Sequence, residues 1–423
     1  MSLAENKPPS PQNSSEEGLG KFLESDFWYE LAVGRPEPPA KHVAVVIIGS
    51  DMPTTIGQDA QTVARTPLAV PCQRRIYLAE LLKSLASFKP AVVVIDMWLE
   101  PRYCSDARAT QTLLTELAQF PNPIVFGAGS YYEDELKANL PAEFAAARNR
   151  NPGLKATQLV LIPSVSLPPS ANISTGVVEL NADNRKIPLS WPIYEDLSKV
   201  GENGQPHQLD SLAIAAVRAF DPKNPVLKRV GAVNAGGSPQ VSRELHPYTN
   251  FLREEDVPIT SAIAVICSRP SDDYWKNVCN PRKEMRTDLA AILGRVVFVG
   301  QAGSGSDIHQ SLIGNVPGVI LQANYVESLL DDRVFKPMRS IYQIVIGLFW
   351  LGGMFWVSLH FRPRPALALF LSLLAAVIPA YLIHLLILHF NYYTQLLLPL
   401  ILAAIVLNVS RQIESVIAHQ ESP

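Results

Sequence analysis

Residues 74–101, RRIYLAELLKSLASFKPAVVVIDMWLEP, place a helix and a strand back to back, and that junction decides the fold. Tyr77, Leu78, Leu81, Leu82 and Leu85 recur at helical spacing and predict an amphipathic helix over Arg75–Phe88. Lys89-Pro90 stops it, because proline disfavours helical geometry at the residue before it. Ala91–Ile95 (AVVVI) has no polar alternation, so it predicts a strand buried on both faces, ending at Asp96. Working outward, His42–Ile48 (HVAVVII) is a strand of the same kind. Gln111–Phe120 predicts a second helix, and Pro123–Gly127 (PIVFG) a third strand. The order strand, helix, strand, helix, strand with short links predicts a parallel sheet with right-handed crossovers.

The rest of the front region fits one domain. Phe22–Val33 has helical spacing and ends at the breaker Gly34-Arg35-Pro36. Leu159–Ile162 is strand-like, and Thr175–Leu189 predicts a hairpin turning at Asn181–Asn184. Ser211–Phe220 predicts a helix, residues 222–257 an irregular stretch, Arg295–Gly300 a last buried strand, and Val319–Leu330 a closing helix. The expectation is an α/β domain over residues 21–338 with a mostly parallel sheet, preceded by a polar tail over 1–20.

Behind it lie apolar stretches of membrane length. Ile341–Phe361 contains no Asp, Glu, Lys or Arg, nor does Pro365–Ser410, which Asn391-Tyr392-Tyr393 divides. A spanning helix needs about 20 mostly apolar residues, since lipid leaves no partner for an exposed backbone. Three transmembrane helices are therefore expected over 339–411, with a short cytoplasmic tail over 412–423. Arg362 and Arg364 mark the first link, whereas the second link carries no charge. By the positive-inside rule the first link and the C-terminus are cytoplasmic and the front domain is outside. Arg333, Lys336 and Arg339 pull the other way. Residues 1–17 have no signal-peptide pattern and predict a disordered start.

A net charge of −3 removes the electrostatic footprint of a nucleic-acid binder. The four cysteines form no C-x-x-C pair, so zinc and thioredoxin-like readings lack their spacing. In an extracytoplasmic domain Cys267 can join Cys279 across a short loop, and Cys72 can join Cys104. Free thiols are the alternative for the second pair, and sequence does not fix the connectivity.

Four stretches, in order, resemble the type-two CHASE domain, an extracytoplasmic sensory module of bacterial receptors. They are HVAVVIIGSD, RRIYLAELLKSLASFKPAVVVIDMWLEP, TGVVELNADNRKIPL and LGRVVFVGQAGSGSDIHQSLIGNVPGVILQANYVESLLDD. The last is the most specific, with strand, glycine loop, Asp307-x-His309, Pro317-Gly318-Val319 and Ala323-Asn324 in family order. The resemblance covers residues 22 to 410 and includes the three spans. This chain departs from the family pattern in beginning with a polar tail instead of a span, in ending without an output domain, and in reading GSDMPTT at the first loop.

Asp51 and Asp96 end predicted parallel strands, where ligands of open α/β sheets gather; with Arg75, Asp307 and His309 they are the candidate ligand residues. Gly300, Gly303 and Gly305 form a glycine loop that can offer backbone N–H groups to an anion, although a turn needing φ > 0 explains them equally well. No catalytic motif, metal set or cofactor motif is recognisable. His384 is an ionisable residue at membrane depth, and a neutral histidine bonded within the bundle explains it as well. The expected function is a non-enzymatic membrane sensor in bacterial signal transduction, located in the inner (plasma) membrane, with a structural or scaffold subunit as the alternative. Its expected partners are the membrane, an unidentified small ligand, further copies of the chain, and a separate kinase, cyclase or protease-like effector.

Overall fold

The computed structural model describes residues 39–49, 70–99, 103–155, 158–162, 167, 172–180, 187–197, 207–228, 248–249, 251–271, 273–279, 289–302, 308–311, 314–337, 339–360 and 392–393. The expected helix Phe22–Val33, the turn at Asn181–Asn184, Asp51, Gly303, Gly305 and Asp307 lie outside them. The chain divides into two compact units, one of residues 37–334 and one of residues 1–36 with 335–423.

In chain order the first unit runs β1 (Val43–Ile48), α1 (Val70–Ala86), β2 (Val92–Asp96), α2 (Ala107–Gln119), β3 (Ile124–Tyr132), α3 (Glu133–Asn139) and α4 (Pro141–Arg150). β4 (Leu159–Ile162), β5 (Ile173–Val177), β6 (Ser190–Asp196), β7 (His207–Asp210), α5 (Leu212–Phe220) and β8 (Tyr248–Thr249) follow. Then come β9 (Ile259–Ser261), α6 (Ala262–Ser268), α7 (Asp273–Cys279), β10 (Val296–Gln301), β11 (Ile308–Ser311), β12 (Gly314–Pro317) and α8 (Gly318–Leu330). The helix at residue 75 begins earlier than expected, at Val70, and ends where Lys89 turns left-handed at φ 51°.

The sheet is parallel through β9, β1, β10, β2, β3 and β5. β10, the last of these strands in the chain, lies between the two that come first, with Val297 opposite both Ala44 and Val93. β3 is nine residues long and serves two neighbourhoods. Its first half pairs with β2 and β5, and from Gly129 onward it pairs antiparallel with β4, beyond which lie β6 and β7. The turn and much of the second arm of the hairpin expected over Thr175–Leu189 lie outside the described residues. β5 pairs with β3 and β6 with β4 and β7, because the apolar Gly176-Val177 end of β5 is buried beside β3 in the parallel sheet.

Apolar side chains on both faces explain why β1, β2 and β10 lack alternation. Ala44, Val46, Val93, Ile95, Val297 and Val299 point to one face, where α1, α2 and α6 cover them. Val43, Val45, Val92, Val94, Val296 and Phe298 are equally buried. α5 and α8 pack against β1, β2, β3, β5 and β10. Helix starts follow serine and aspartate caps: Asp106 accepts from Ala109 N, Ser211 from Ile214 N, and Ser261 from Ala264 N. Two disulfides close the helical layer, Cys72–Cys104 and Cys267–Cys279, with Cα–Cα distances of 5.0 and 5.1 Å. The second joins α6 to α7, two short helices where the sequence suggested a short loop.

In the second unit β13 (Val334–Pro337) pairs parallel with β14 (Tyr392–Tyr393), Lys336 facing Tyr392 and Pro337 facing Tyr393. Between them runs α9 (Ser340–His360), 21 residues long. Residues 340, 354 and 357–359 of α9 fall outside the described side chains, and over the described residues no helix is long and apolar enough to cross a membrane. The stretches expected as second and third spans lie outside the described residues, apart from Tyr392-Tyr393.

Candidate functional site

The carboxyl ends of β2 and β10 lie side by side, with Gly300 registered against Asp96. α8 approaches this point closely. A Cβ added to Gly300 would sit 2.5 Å from Val319 Cβ, so only glycine lets the helix start pack against the strand. Gly300 is thus a packing residue against Val319. Gly314, in the β11–β12 hairpin, has φ +103° and supplies the turn there.

Beside the Gly300–Val319 contact is a crevice of about 330 Å³. Arg74 and Asp96 contribute charge, Gln301 and Gln322 amides, and Met97, Trp98, Leu99, Val178 and Leu180 apolar wall. Gly318 and Val319, the first turn of α8, complete the lining. Pro317 precedes that turn and supplies no side-chain cap. The orphan N–H groups and the positive end of the helix macrodipole therefore face a region with polar lining. Crevices at carboxyl strand ends are where open α/β sheets bind ligands.

Gln322 is the most informative side chain of the site. It is only 1% exposed, yet one of its two polar ends is used: Nε2 donates to Val178 O at 3.2 Å, and Oε1 has no partner among the described residues. A buried acceptor without a donor costs about 1–3 kcal/mol unless something fills the place. Gln322 is also one of the residues that line the crevice.

Of the sequence candidates, Asp96 lines the crevice and Arg75 does not. Arg75 is buried, its Nη1 donates to Thr110 Oγ1 on α2, and burial lowers its pKa. The adjacent Arg74 is among the residues that line the crevice. Helical residues one apart point about 100° away from each other, which is enough to exchange core for cleft. His309 sits on β11 opposite Val316 and is not part of the lining. Among the described residues no cluster of His, Cys, Asp or Glu could hold a metal ion.

Sequence reasoning missed Arg74, Trp98, Gln322 and Glu327. The last two sit in GVILQANYVESLL, a helix buried along nearly its whole length, and polar residues inside such a helix are the signal available. Asn324 in the same helix accepts from Leu252 N at 2.7 Å. Glu327, 1% exposed, accepts from Lys41 N, His42 N and Val43 N at 2.8, 2.9 and 3.0 Å, and so holds the start of β1 to α8. Arg333 and Lys41 both pair with Asp331 beside it.

A larger hollow of about 520 Å³ lies at the amino end of β1 and β9. Its charged lining residue is Arg295, whose Nη1 already donates to Ala40 O and Val43 O, and the rest of its wall is mostly Ala, Pro and Ile. It lacks convergent polar groups, so the smaller crevice is the better ligand site.

The family model of the CHASE2 domain matches residues 17–360. The chain belongs to the CHASE2 family. CHASE2 domains are sensory domains of signal transduction. No curated protein and no solved structure matches the chain.

Proposed function

We propose that this CHASE2 protein is a membrane-anchored, non-enzymatic sensor. Its α/β domain lies outside the cytoplasm, takes a small ligand in the crevice at the ends of β2 and β10, and passes the signal through transmembrane helices to a separate effector. The observation that carries the reading is Gln322, which lines the crevice at the first turn of α8 and whose Oε1 has no partner among the described residues. A scaffold subunit has no use for such an acceptor. α8 also links the crevice to the exit of the domain: it begins at the lining residue Gly318, grips β1 through Glu327, and ends just before Val334. A ligand shifts an equilibrium only by binding one arrangement better than another, and α8 is the element on which such a difference would act.

Three further observations support the membrane reading. Residues 341–361 carry no charged side chain, and 21 helical residues extend about 31 Å, close to the hydrocarbon thickness. α9 turns Ile341, Leu348, Phe349 and Trp356 outward, with Phe349 82% exposed, a face that is costly in water and at ease in lipid. The pairing of β13 with β14 brings Tyr392 back beside Lys336, the residue level from which α9 departs, as a chain that crosses and returns requires. Two disulfides suit an oxidising compartment.

Carbonate extraction of membranes, a reporter fused after Pro423, and native mass spectrometry of the detergent-solubilised chain test the proposal. Retention in the membrane, a cytoplasmic reporter, and a bound small molecule that is lost in Arg74→Met are expected. Release by carbonate, or a chain that carries no small molecule, would overturn it.

A further inference from the structure

We infer that the crevice recognises a free α-amino acid with an apolar side chain; this rests on reading the crevice as the ligand site of the sensor. Among the described residues the polar lining carries both signs, a guanidinium from Arg74 and a carboxylate from Asp96. A cavity so balanced favours a ligand that is itself dipolar, because a bare anion would meet Asp96 and a bare cation would meet Arg74. On the anion-accepting side, the uncapped first turn of α8 at Gly318 adds backbone N–H groups to Arg74, which has no ion-pair partner among the described residues. A carboxylate suits that pair.

Gln322 supplies an acceptor that has no partner among the described residues. Gln322 is fixed by its Nε2 bond to Val178 O, so Oε1 is held as an acceptor and cannot rotate away without breaking that bond. An ammonium group supplies three donors and satisfies it, with the carboxylate of Asp96 in the same lining. Of the remaining described wall, Met97, Leu99, Val178 and Leu180 are apolar and accommodate a side chain without polar groups. A volume of about 330 Å³ is at the small end of the usual range for ligand pockets, about 300–1,000 Å³, which selects a single small metabolite over a peptide.

The test is calorimetric titration of the detergent-solubilised full chain with three probes: L-leucine, N-acetyl-L-leucine, which keeps only the negative charge, and L-leucinamide, which keeps only the positive. Leucine is expected to bind, with each derivative at least about tenfold weaker, since each forfeits one charge-assisted set of hydrogen bonds. Arg74→Met should weaken leucine and the acetyl derivative but spare the amide. Gln322→Met should weaken leucine and the amide but spare the acetyl derivative. Unfolding midpoints of both variants, expected to stay near that of the parent, verify that the fold is intact. Equal binding of a derivative and leucine, leucine binding untouched by both substitutions, or no binding by any probe would overturn the inference. A retained ligand of another charge type in native mass spectrometry would overturn it too, while leaving the sensor reading standing.

Discussion

Glu327→Ala is the sharpest test of how the domain is held together. The carboxylate accepts the backbone N–H groups of Lys41, His42 and Val43 where the chain enters β1, and the Val43 N–H is fully buried. Truncation leaves that group without a partner, at about 1–3 kcal/mol. Lys41 N and His42 N are only partly buried, so water can enter the vacated space and limit their loss to about 0.5 kcal/mol each. Removing the buried carboxylate also removes its own desolvation cost, which offsets part of the sum. The net expectation is a destabilisation of about 3 kcal/mol. Glu327→Gln keeps one carbonyl to serve His42 and Val43 but turns an NH₂ toward Lys41 N, and should cost about 1.5 kcal/mol. For a domain of this size 1 kcal/mol corresponds to roughly 2 °C, so thermal unfolding of the full chain should fall by roughly 6 °C for alanine and roughly 3 °C for glutamine. An alanine variant that unfolds within about 1 °C of the parent would refute the idea that this carboxylate clamps β1 to α8.

Replacing Cys72 and Cys104 together by alanine opens a loop of 32 residues and should cost about 4 kcal/mol, against about 3 kcal/mol for the 12-residue loop of Cys267 and Cys279; denaturant titration of the two double variants reads the order. Gly300→Ala forces a Cβ onto Val319 and should destabilise by about 1–3 kcal/mol, much of it recovered when Val319→Ala is added, so a double-mutant cycle with no coupling would contradict the close approach. At Lys83 burial pulls the ammonium pKa down, but the hydrogen bond and charge of Glu80, joined by Glu116, outweigh it, and the net pKa lies above the ordinary 10.5. Its contribution is therefore full below pH 10.5 and is lost as pH rises through the raised folded value; Lys83→Met should flatten the alkaline fall in stability, and an unchanged profile would speak against the pairing.

The order of parallel strands was legible because β1, β2 and β10 are runs of valine and isoleucine that suit a strand buried on both faces. Their pairing was not, since periodicity tells which residues are buried but not which neighbour buries them. Thr175–Leu189 shows the same limit: a polar turn between two apolar runs looks local, yet β5 pairs with β3. α6 and α7 went unseen because seven-residue helices carry barely two turns of pattern. At the site, Asp96, read from its place at a strand end, lines the crevice. Arg74 and Arg75 are adjacent arginines that pattern does not distinguish, and only the packing of α1 against α2 decides which is buried. Gln322 had no motif to announce it; its meaning comes from burial and an unused lone pair.

The central place of β10 sets a schedule for synthesis. Arg295 bonds to Ala40, 255 residues earlier, and β1 and β2 touch through β10 instead of each other. As the chain leaves the ribosome, β1 and β2 must therefore wait, each with an open apolar edge, until nearly the whole domain has been made. A chain cut short before Val296 keeps both edges and cannot close the sheet, so it should be an aggregating fragment instead of a smaller domain. Proteins with such a late keystone depend on something to shelter the early strands, and translation speed between residues 100 and 290 becomes a determinant of yield for this chain.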